Sequence, residues 1–137
     1  MTQKDKDLLI KDLYGRLLYG VECKDIYTNV SGKLDEISTR YNMCRLSDVY
    51  GELETCYIPN CRPYLFPLSS MTEEQKKEYN FWKHGVPVCH YEYGDVVEEV
   101  ELFDSPESFE YLIENHFDYR GLIEKGLAID ATNLNIY

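Results

Sequence analysis

Three prolines spaced four residues apart, Pro59, Pro63 and Pro67, constrain this chain more than any other feature. Proline fixes φ and has no N–H, so no helix can run through this stretch and a central strand would lose a ladder hydrogen bond. The residue before each proline is also driven towards extended backbone. Ile58–Leu68 is therefore expected to be a stiff strap outside any central strand, anchored on a sheet by buried Tyr64, Leu65 and Leu68. Thr72 then offers an N-cap, and Gln75 completes a Thr-x-x-Gln capping box. Glu73 and Glu74 fall in the first turn, where the helix dipole favours acids. This predicts a helix from Thr72 that Gly85 terminates.

Helical spacing also marks the start of the chain. Leu9, Leu13 and Leu17 lie four apart, widened by Ile10, Tyr14 and Leu18, with Thr2 as cap and Gly20 at the C-terminal end. Gly15 inside this helix costs about 1 kcal/mol relative to alanine. From Val21 to Ile58 the pattern changes to short strands, VECKDIYTNV, LDEIST, RYNMCRL and ETCYI. Turns are expected at Ser31-Gly32-Lys33, at Ser47-Asp48 and at Gly51.

VPVCHYEYGDVVEEVELF reads as a hairpin turning at Gly94-Asp95. That register sets Tyr93 opposite Val96, Cys89 opposite Val100 and His90 opposite Glu99. Cys89, Tyr91, Tyr93, Val96, Val100 and Leu102 then share one face, and His90, Glu92, Glu99 and Glu101 the other. Ser105-Pro106 opens a third helix. HFDYRGLIEKGLAIDA reads as a loop, a turn closed by Gly126 and a final extended piece. The expected fold is α+β in one domain, residues 1–137. It has a small antiparallel sheet or partly closed barrel, an N-terminal helix and two further helices.

The 137 residues carry a net charge of −11, and it is concentrated. Ten acids and no Lys or Arg occur between His84 and Tyr119. Such a field repels DNA, RNA and anionic membranes, and attracts a basic protein or a cation. No apolar run is long enough to span a bilayer, and the charged start lacks a signal-peptide core. A cytoplasmic protein is expected, with neither direct nucleic-acid binding nor membrane insertion.

No catalytic signature is present. There is no GxSxG elbow, no glycine-rich phosphate loop and no CxxC pair. Cys56, Cys61, Cys89 and His90 are the one conceivable zinc set. Cys89 and His90 should face opposite sides of a strand, so the five cysteines are expected as free thiols, with no metal and no cofactor.

RPYLFPLSSMTEEQKKEY, KDLLIKDLYGRLLYGV and HFDYRGLIEKGLAIDA together resemble small proteins with no assigned activity encoded by gut Bacteroidales, their phages and integrated elements. The resemblance covers about half the chain, in three places. It implies a bacterial or phage setting and carries over no catalytic residues.

The expected function is a non-enzymatic binding or regulatory protein that meets a host or phage protein through Glu92, Glu99, Glu101, Glu107, Glu110 and Glu114. Nucleic-acid mimicry is one form of this. The alternative is a small-molecule binder with a pocket between the strap and the sheet. An enzyme using a Cys, His and acid cluster is the least supported reading.

Overall fold

The computed structural model describes residues 1–137 and has an α+β fold, as the sequence predicts. The chain divides into two compact units, Met1–Ser70 with Ile113–Tyr137, and Met71–Leu112.

In the first unit, helix α1 spans Gln3–Arg16, and the Thr2 hydroxyl accepts from the Asp5 N–H as its cap. Leu9, Asp12, Leu13 and Arg16 are its buried residues, at i, i+3, i+4 and i+7. The wider stripe expected from Tyr14 and Leu18 does not form, and both are exposed. The α-helix stops at Arg16, and a tighter 3₁₀ turn over Leu17–Tyr19 takes Leu18 off the buried face. Gly20, at φ 70°, ends it in the left-handed region.

Four antiparallel strands follow: β1 (Glu22–Asp25), β2 (Ser31–Ser38), β3 (Met43–Ser47) and β4 (Leu53–Tyr57). The turn expected at Ser31-Gly32-Lys33 lies earlier. The Asp25 carboxylate accepts from the Tyr27 and Thr28 N–H groups, and Asn29 takes a positive φ of 65°. Gly32 sits inside β2, where its missing side chain lets the Ser47 backbone approach.

The strap is a strand. β5 (Cys61–Pro67) pairs antiparallel with β1, Pro63 opposite Cys23. Further along it pairs parallel with β9 (Ile129–Asp130) at Tyr64 and Leu65 and with β8 (Phe117–Asp118) at Phe66 and Pro67. It is therefore central, contrary to the expectation from its prolines. The reason lies in the ladder. The Ile26 N–H donates to the Asn60 carbonyl in the same register, which puts Pro63 at a non-hydrogen-bonded pair with Cys23. No ladder bond to β1 is lost. Tyr64 and Leu65 are buried as expected, whereas Leu68 is 44% exposed because the strand ends at Pro67 and Leu68 begins a 3₁₀ turn.

The resulting sheet has seven strands, in the order β4-β3-β2-β1-β5-β8 with β9 also on β5. It is open, and mixed through its two short parallel additions. A flat sheet would hold β4 and β5 about 19 Å apart, at about 4.8 Å per strand. Yet Sγ atoms of Cys56 on β4 and Cys61 on β5 lie within 4.8 Å. The sheet must therefore curl strongly, and a register shift between Leu34 and Glu36 in β2 supplies a bulge that adds twist. The core includes Leu9, Leu13, Val21, Leu34, Leu46, Ile58, Leu65 and Leu122, together with four cysteines.

In the second unit, helix α2 spans Glu73–Trp82 with the full capping box of Thr72 and Gln75. Thr72→Ala should lower stability by about 1 kcal/mol in a urea titration. An unchanged midpoint would remove the cap's role. Strands β6 (His84–Glu92) and β7 (Asp95–Phe103) form the expected hairpin, but it turns at Tyr93-Gly94, both at positive φ. Tyr91 pairs with Val96, His90 with Val97 and Val88 with Glu99, not His90 with Glu99. A type I′ turn needs positive φ at both central residues, and glycine suits the second position. The turn moves by one residue, which changes every partner and takes Tyr93 out of the strand, but leaves the other side chains on their predicted faces. Helix α3 spans Pro106–Glu114. Within the unit, the Tyr79 hydroxyl donates to Asp104, the Ser105 hydroxyl donates to the Trp82 carbonyl, and Tyr79 stacks on Tyr111.

Candidate functional site

Three groupings can carry chemistry or binding. The first is the acidic hairpin of the second unit. Glu92, Glu99 and Glu101 lie on one face of β6–β7 and are exposed, as are Glu107, Glu110 and Glu114 on α3. His90 sits diagonally across, 3.9 Å from Glu92 and 4.0 Å from Glu99. The other face carries Tyr91, Val96, Val100 and Leu102, with Cys89 and a single acid, Glu98, among them, all exposed. Apart from half-buried Val88 and Val97, every residue of the two strands is exposed. An isolated two-stranded hairpin is marginal in water, so this element gains little from its own packing.

The second grouping is a set of thiols that the sequence did not single out. Cys23, Cys44, Cys56 and Cys61 come from β1, β3, β4 and β5, and all are at most 1% exposed. Cys44 and Cys56 are direct cross-strand partners. The Sγ atoms of Cys44, Cys56 and Cys61 all lie within 4.8 Å of one another. Cys23 lies against Cys61 as a thiol partner. Burial pushes all four thiols above the usual range, while the hydrogen bonds among them raise some and lower others. They are therefore not free nucleophiles. Cys89 is exposed on the hairpin of the second unit, so the set of Cys56, Cys61, Cys89 and His90 does not describe this cluster. The sequence did hold a sign of it. Cys44 and Cys56 stand equally far on either side of Tyr50, in the turn between β3 and β4.

The third grouping is a buried charge network in the first unit. Arg16 Nε donates to Asp12 Oδ2 at 2.8 Å, and Arg16 Nη2 donates to the Phe117 carbonyl at 2.6 Å. Arg120 Nε lies 3.4 Å from Asp12 Oδ1, an ion pair without hydrogen-bond alignment. Desolvation raises the Asp12 pKa, and the two arginines offset part of that rise. His116 stacks on Tyr137 at 3.7 Å. Burial, and then the charge of Arg16, lowers its pKa to about 4. A depressed histidine contributes stability that is complete above its ordinary value of 6.5 and is lost as pH falls towards about 4. Replacing His116 by Asn, which tolerates its φ of 61°, should flatten that limb of the stability–pH curve by about 1–2 kcal/mol. Urea titrations across this range measure it. Equal slopes in both proteins would show that His116 is protonated alike in the folded and unfolded chains.

No space lies between strap and sheet, because the strap is a strand of the sheet. A depression of about 420 Å³ lies at the strap's end, between Pro67–Ser69 and Asp118–Glu124. Both Asp118 carboxylate oxygens already accept backbone N–H groups, from Leu122 and Ile123. No helix is long and apolar enough to cross a membrane.

No protein-family description, curated protein or solved structure matches this chain.

Proposed function

We propose that this is a non-enzymatic binding or regulatory protein of a mobile element or phage, acting in the cytoplasm. It engages a basic partner protein through the β6–β7 hairpin and the acidic side of α3. One observation carries the reading: the hairpin presents nine-residue strands with neither face covered, one acidic and one apolar. Acids on one face supply steering and register, and the exposed tyrosine and aliphatic residues of the other supply contact area. Mimicry of a nucleic acid towards a host protein that handles DNA or RNA is the specific form. Glu92, Glu99, Glu101, Glu107, Glu110 and Glu114 would stand in for phosphates.

The test is capture from host lysate with the wild-type protein and with Glu99→Lys/Glu101→Lys. Loss of the captured partner in the variant, and weakening with salt, support the reading, since the Debye length is only about 3 Å at 1 M. Capture that survives both the charge reversal and high salt removes the acidic surface from the account. Circular dichroism of the variant controls for folding.

A further inference from the structure

We propose that Cys44, Cys56 and Cys61, completed by Cys23, form a structural zinc site inside the curled sheet of the first unit. Three thiols from three strands converge on one buried point, with Cys23 of a fourth strand beside Cys61, although β4 and β5 occupy distant places in the strand order. Small apolar side chains would fill the same volume without bringing three sulfurs mutually within 4.8 Å. Tetrahedral zinc with Zn–S near 2.3 Å requires sulfurs about 3.8 Å apart. Cys44, Cys56 and Cys61 reach that spacing with thiol displacements of about 1 Å, and Cys23, the neighbour of Cys61, must draw in to become the fourth ligand.

The donor chemistry is all-sulfur and so selects a thiophilic ion over magnesium or calcium. Binding is a proton exchange: each thiol gives its proton to water as its sulfur joins zinc. Four thiolates on Zn²⁺ leave a charge of −2. Arg62 is held beside the site for this charge, its Nη1 donating to the Cys61 carbonyl at 3.1 Å and its Nε to the Gly126 carbonyl at 2.9 Å. Asp25, paired with Cys61 across the ladder, is the opposing neighbour. Its Oδ1 is engaged by the Tyr27 and Thr28 N–H groups. Cys44, itself 1% exposed, adjoins a surface depression of about 440 Å³ lined by Glu36, Ser38, Tyr41 and Thr55. The ion would tie β4 to β5 where no ladder joins them.

The experiment is metal analysis and native mass spectrometry of the full chain, produced in zinc-replete medium and kept reduced. One zinc per chain is expected in the wild type and in Cys89→Ser. Zinc content should fall at least tenfold in Cys44→Ser and in Cys56→Ser. Because a loss of packing alone could unfold those variants, cobalt exchange into the wild type is the second readout. It should give the intense visible absorption of tetrahedral thiolate coordination, with release of protons from the thiols. A folded wild-type chain that carries no zinc and takes up neither ion overturns the proposal. So does isolation with copper, a Cys44–Cys56 disulfide in the reduced preparation, or zinc retained in folded Cys44→Ser.

Discussion

Asp12→Ala lowers the stability of the protein by about 3–5 kcal/mol, the loss expected when one partner of a buried ion pair is removed. Arg16 is 1% exposed and Asp12 is wholly buried. Without the carboxylate, the Arg16 guanidinium keeps only the Phe117 carbonyl as a hydrogen-bond acceptor. It must then remain as a buried unpaired charge or draw water into the core. Arg120, which also faces Asp12, loses its counter-charge in the same step. The double replacement Asp12→Leu/Arg16→Met should recover most of the loss, since a buried pair and its apolar replacement are often close in stability. Urea denaturation of the two variants decides this. A loss below about 1 kcal/mol for Asp12→Ala would mean that water already solvates the pair.

Gly32→Ala is the second large effect, expected at about 1–3 kcal/mol, the range for overpacking a close-packed site. A Cβ at Gly32 would stand 2.5 Å from the Ser47 carbonyl oxygen and 3.0 Å from its carbon. Both are backbone atoms of the paired strand, so no side chain can swing aside. The β2–β3 ladder must open, next to the bulge that helps to curl the sheet. Gly15→Ala is the internal comparison, because nothing lies within 4 Å of its Cβ position. That change should stabilise the helix by up to about 1 kcal/mol. Thermal or urea unfolding that ranks the two variants equally would contradict the close approach at Gly32.

Local signals in the sequence were sufficient where local geometry decides. Thr2, Thr72 and Gln75 cap helices through atoms three residues away, and the capped helices form where the sequence places them. The hairpin faces survived a one-residue error in the turn because pleating has a period of two. Elements set by distant partners were not legible. Whether Pro63 fits a central strand depends on its ladder position opposite Cys23, which no spacing along the chain reveals. The Asp12–Arg16 pair has the spacing of an exposed helical ion pair, and only Phe117, 101 residues later, makes it an interior one. The thiol cluster likewise depends on sheet curl. Cys44 and Cys56 are related by their turn, but Cys61 comes from β5, three strands beyond β3 in the sheet order.

The discontinuity of the first unit has a consequence for synthesis. Its sheet and its charge network need Phe117 and the residues after it, while Arg16 leaves the ribosome 101 residues earlier. At about 5–20 residues per second, the nascent chain waits about 5–20 s for the carbonyl that completes the arginine's site. Throughout that interval the N-terminal helix has an ion pair on the face it will later bury, and water is its only available environment. The Met71–Leu112 unit, whose hairpin pairs residues close in sequence, can order while the first unit is still incomplete. The older half of the chain therefore finishes last, and a nascent chain stalled before Phe117 can pair its hairpin but cannot complete its core.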